Sequence, residues 1–110
     1  MIILSNGKQG GKDMDKGNDL LEYLQDHHTE EINAVGAREL STLFNITQRG
    51  LRSLVTELRK EGYPVCSSNS GYWYSEDEED IRKTVARMEA QMEKMEQAVT
   101  GLKTGKYRRI

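Results

Sequence analysis

The stretch GARELSTLFNITQRGLRSLVTELRKEGYP, residues 36–64, decides the fold. Ala37, Leu40, Leu43 and Phe44 recur at helical spacing and predict a helix over about 36–44. Asn45-Ile46 breaks the pattern. Thr47 then offers an N-cap, and Leu51, Leu54, Val55 and Leu58 form the apolar stripe of a second helix, about 47–61. Gly62 is a suitable C′ residue and Pro64 stops the helix. Two helices joined by a three-residue turn, the second opening at a capping Thr, form a helix-turn-helix.

Downstream the chemistry changes to that of strands. Val65-Cys66-Ser67-Ser68 and Tyr72-Trp73-Tyr74 flank Asn69-Ser70-Gly71, which predicts a β-hairpin. Alternation puts Tyr72 and Tyr74 on one face and Trp73 on the other, where Trp73 needs separate cover. Ser75-Glu76-Asp77-Glu78 reads as a capping box opening a last helix over 76–104. The acids Glu76 to Asp80 lie at its positive end, and Lys103 with the basic tail 105–110 at its negative end. Ile81, Val85, Met88, Met92, Met95, Val99 and Leu102 alternate in steps of four and three, a heptad seam.

Upstream, residues 1–17 carry four glycines among polar residues and read as a flexible N-terminal arm. Asn18-Asp19 supplies cap chemistry, and Leu20, Leu21 and Leu24 predict a first helix over about 19–27. Ile32 to Val35 is either a short edge strand or part of a connection. The expected domain therefore spans 18–75. The fold class is α+β, mostly helical, with a long C-terminal heptad-patterned helix.

The segment from Ala37 to Tyr74 resembles winged helix-turn-helix domains of the biotin-repressor type. The likeness rests on Leu58-Arg59-Lys60-Glu61-Gly62, an apolar strand after it, a short wing, and Gly71-Tyr72. It is similar also to small winged-helix proteins of prophages and mobile elements of Gram-positive bacteria, which add one long helix after the wing. The resemblance covers about half the chain well and the final helix loosely. It implies binding of double-stranded DNA, as in transcription regulation; the alternatives are a protein-interaction adaptor built on a winged helix, or a DNA-binding accessory role in phage replication or excision, and no biotin chemistry is expected.

In that arrangement the N-terminal part of the second helix enters the major groove. That part holds Thr47, Gln48, Arg49, Arg52 and Ser53, and Gln48, Arg49, Arg52 and Thr56 face away from the apolar stripe. Arg can bond guanine O6 and N7 in pairs, and Gln adenine N6 and N7. Residues 47–60 carry four bases (Arg49, Arg52, Arg59, Lys60) against one acid (Glu57), on a chain of net charge −2. Ser68, Asn69 and Ser70 at the wing tip either donate hydrogen bonds to phosphate or form a plain turn. The seam either pairs two chains in a dimeric coiled coil or packs back on the first helix and Trp73.

Other chemistries are not expected. Asn6 to Asp13 falls short of a phosphate-binding loop, with Asn6 where the first Gly belongs and Asp13 where a hydroxyl would hold magnesium. Adjacent side chains on a helix diverge by about 100°, so His27 and His28 do not chelate one metal. Cys66, the only cysteine, reads as a packed thiol and excludes an internal disulfide. The acids at 76–80 lack the spacing of a calcium loop. We expect a cytoplasmic protein that is no enzyme, needs no cofactor, takes no small-molecule substrate and inserts in no membrane.

Overall fold

The computed structural model describes residues 11–105, with side-chain environments from Lys16 onward. The chain is a mostly helical α+β fold. Its elements are α1 (Gly11–His27), a 3-10 turn (Glu31–Asn33), α2 (Ala37–Leu43), α3 (Gln48–Lys60), β1 (Val65–Ser68), β2 (Gly71–Tyr74) and α4 (Glu78–Thr104). Most of the arm expected at 1–17, and the basic tail after residue 105, lie outside the described residues.

Residues 11–17, expected in the arm, instead form the first turns of α1, eight residues before the Asn18-Asp19 start. Packing offsets the poor helix propensity. Gly17 is buried where α1 crosses α3, and a β-carbon on it would lie 3.8 Å from Leu54 Cδ2 and 4.0 Å from Leu58 Cδ2. Gly17 thus continues the apolar stripe of Leu20, Leu21 and Leu24. Lys16 Nζ donates to Phe44 O at 3.5 Å, a cation at the C-terminal end of α2.

The core unites these leucines with Val35, Leu40, Leu51, Val55, Leu58 and Val65. On α2 the inward stripe runs Ala37–Leu40–Ser41–Phe44, with Leu40 and Ser41 buried, so Leu43, read as part of the apolar spacing, is 53% exposed. Ser41 enters the interior by donating its hydroxyl to Arg38 O at 2.9 Å. The α2–α3 turn passes through Asn45 at φ 55°, a conformation asparagine tolerates better than most side chains.

Both ends of α3 are closed by local bonds. Thr47 Oγ1 accepts from Gly50 N at 2.9 Å, as an N-cap does. At the other end Gly62 N donates to Arg59 O and Tyr63 N to Leu58 O, with Gly62 at φ 98°. That pair of bonds is a Schellman motif, which needs the left-handed residue that glycine supplies.

β1 and β2 pair antiparallel, Val65 opposite Tyr74 and Ser68 opposite Gly71, leaving Asn69-Ser70 as the tip. On the far side of β2, Val35 exchanges both backbone bonds with Tyr72, at 2.9 and 2.8 Å. The stretch 32–35 is thus a connection carrying one bridging residue, and Ile32 is exposed. Tyr72 and Tyr74 pack against the core, as the alternation requires. Cys66 and Trp73 are cross-strand partners on the opposite face, both buried. Burial pushes the Cys66 thiol above its usual range.

The cover for that face is α4. Its N-cap is Asp77, not Ser75: Ser75 Oγ accepts from Asp77 N at 3.1 Å, so the expected capping box gives way to a tight turn ahead of the helix. Trp73 Nε1 donates to Asp80 Oδ2 at 3.2 Å, and Ser67 N to Thr84 Oγ1 at 3.2 Å. Asp80, Thr84 and Arg87 form the stripe that meets the hairpin, one residue out of step with the heptad seam. The seam therefore flanks the contact. Ile81, Val85 and Met88 line a groove of about 280 Å³ with Tyr63, Pro64 and Val65. Beyond them Met92, Met95, Val99 and Leu102 project from the body, 65, 69, 45 and 78% exposed. No helix among the described residues is long and apolar enough to cross a membrane.

Candidate nucleic-acid interface

Three helical positions of α3 are buried, Leu51, Val55 and Leu58, and they turn the rest of the helix outward. Gln48, Arg49, Arg52, Ser53 and Thr56 are all exposed, as is the capping Thr47. Neither Arg49 nor Arg52 forms an ion pair among the described residues. The first turn of α3 holds no acid, so no negative side-chain charge of that turn offsets the positive end of its dipole. α4 is the opposite case, with Glu78, Glu79 and Asp80 in its first turn.

The basic balance expected for 47–60 is weaker on the outer face than the count suggests. Lys60 pairs with Glu57 at 3.4 Å, and Arg59 turns away toward the hairpin. Arg59 Nε donates to Val65 O at 2.8 Å and its Nη2 to Ser67 Oγ at 3.0 Å. Burial lowers the Arg59 pKa from its ordinary value, and the charge of Arg87 adds to the effect.

At the hairpin tip, Asn69 and Ser70 are exposed and Ser68 is half-buried. Ser68 Oγ is occupied within the turn, accepting from Ser70 N at 3.0 Å. Arg87 reaches the same strand from α4. Its Nη1 donates to Ser67 Oγ at 3.4 Å and its Nη2 to Asn69 Oδ1 at 3.5 Å. Two guanidinium groups thus converge on one serine hydroxyl.

The fold brings the α3 residues together on one face and sets the hairpin beside them. Sequence reasoning missed the Arg59–Ser67–Arg87 cluster. Its signal was the stripe Asp80–Thr84–Arg87, polar residues at i, i+4 and i+7 just ahead of a helix otherwise read by its apolar seam. Among protein-family models, curated proteins and solved structures, nothing matches this chain.

Proposed function

We propose that the protein binds duplex DNA as a winged helix-turn-helix, with Gln48, Arg49 and Arg52 reading base edges in the major groove. Thr47 and the first-turn N–H groups of α3 that its cap leaves free take a phosphate, and the wing tip at Ser68, Asn69 and Ser70 touches the backbone. The observation that carries this reading is a pair of arginines, without ion-pair partners among the described residues, on the exposed face of a capped helix free of first-turn acids. The order of elements supports the wing assignment: α2, turn, α3, then a hairpin closed on Val35. Taken with the resemblance to prophage and mobile-element proteins, the role proposed is transcription regulation in such an element.

The test is a titration of labelled protein with a random-sequence duplex at low salt, following backbone amides. Shifts gathered at Thr47 to Ser53 and Ser67 to Gly71, reversed by added salt, are the expected result. Arg49→Ala with Arg52→Ala should leave stability within about 0.5 kcal/mol, since both side chains are exposed. The double variant should lose roughly tenfold or more in affinity for a selected site. Unchanged affinity in a folded double variant removes the site assignment.

Self-association through α4 belongs to the same reading and rests on the exposed second half of the seam. A two-fold dimer would present two α3 helices to half-sites about 34 Å apart or a multiple of it. If the duplex produces no shifts, the alternative is an adaptor that uses the same seam for a protein partner.

A further inference from the structure

We infer that Arg59, Arg87 and Ser67 form a second phosphate subsite for the duplex backbone, at the junction of α3, β1 and α4; this rests on the DNA-binding reading above. Both guanidiniums bond Ser67 Oγ, at 3.0 and 3.4 Å, so two full positive charges share one neutral acceptor. Among the described residues no carboxylate lies within ion-pair distance of either group. The neighbouring acids of α4 are committed elsewhere, Glu79 to Arg82 and Asp80 to Trp73.

Mutual repulsion of two cations held together is ordinarily relieved by an anion. Each guanidinium carries five N–H donors. Arg59 spends two on Val65 O and Ser67 Oγ, and Arg87 two on Ser67 Oγ and Asn69 Oδ1. Each guanidinium thus keeps N–H donors that no protein acceptor takes, and a phosphate oxygen is the acceptor such charged donors favour.

Position identifies which phosphate. At 100° per residue, Gln48, Arg52 and Arg59 fall within about 40° of one another on α3. Arg59 lies about 10 Å along the axis from Arg52. The Arg59 side chain bends from that side of α3 to β1, so a duplex lying against Gln48 and Arg52 would meet the Arg59–Arg87 pair where it passes the hairpin. The exposed wing residue Asn69 is already tied to Arg87 at its far edge. Arg59 is fixed by the β1 backbone and Arg87 is the adjustable partner, with bonds no shorter than 3.4 Å.

The experiment is the salt dependence of affinity for a random-sequence duplex, in the full chain, Arg87→Gln and Arg87→Lys. One lost phosphate contact lowers the slope of log K against log salt by about 0.9. Arg87→Gln should show that loss with unchanged melting temperature, and Arg87→Lys should restore most of the slope by restoring the charge. An unchanged slope in Arg87→Gln, with the parent chain still binding, overturns the subsite and leaves the DNA reading standing. Failure of the parent chain to bind duplex overturns both. A parallel titration with inorganic phosphate separates the sources. Shifts at Ser67 to Asn69 with phosphate alone, and no slope change with duplex, would make this a free-anion site and overturn the duplex assignment.

Discussion

Gly71 shows how much one residue can decide. It sits at φ 124°, and a β-carbon there would collide with the Val35 carbonyl. The hairpin can approach the 32–35 connection only because that side chain is absent. Gly71→Ala should therefore cost about 2 kcal/mol or more, from positive φ and lost bridging together. A urea melt of the variant would read the loss as a lower midpoint. A midpoint equal to the parent's would mean that the Val35–Tyr72 bridge contributes nothing. Single residues were also the most legible part of the sequence. Thr47 and Gly62 bracket α3 as their chemistry requires, because caps depend on bonds only a few residues long. Arg59 was not legible, since nothing in α3 itself tells a solvated arginine from one that reaches over to Val65.

Among the elements, α4 carries the clearest lesson. Its apolar heptad was easy to read, yet it docks by the polar stripe beside it. Asp80 answers the indole N–H of a Trp73 that is 3% exposed, and Thr84 answers the open edge of β1. Asp80→Ala should leave the indole N–H unsatisfied in the interior, at a cost of about 1–3 kcal/mol. The melting temperature would fall, and Trp73 fluorescence would move toward that of a more hydrated indole. Unshifted emission at full stability would show that α4 is held by other contacts. The early start of α1 was hidden for a related reason. A glycine-bearing segment reads as an arm until a partner surface exists, and that surface is α3, some forty residues later. Leu43 fell outside the core because the face that α2 buries runs through Leu40 and Ser41 instead.

At the scale of the molecule, the body and its projecting helix give extents of 56 × 34 × 25 Å. The mostly helical α+β class, the order of elements and the presence of a hairpin could be read from the chain; its register could not, since Gly71, read as part of the turn, belongs to β2 and pairs with Ser68. The path of α4 relative to the body could not, because two stripes on one helix competed for the same surface. The proposed self-association makes a definite prediction here. Sedimentation across a concentration series should show reversible dimerisation, and Met92→Glu with Met95→Glu should hold the chain monomeric without lowering its melting temperature. A parent chain that stays monomeric at high micromolar concentration removes the dimer.

The attachment of α4 to the back of the hairpin has a mechanical side. From Met88 to Thr104 the helix extends about 24 Å past its last support. A tilt of the hairpin by about five degrees would swing its far end by about 2 Å. By leverage alone, any small rotation at the hairpin–α4 junction is multiplied along that overhang before it reaches Leu102.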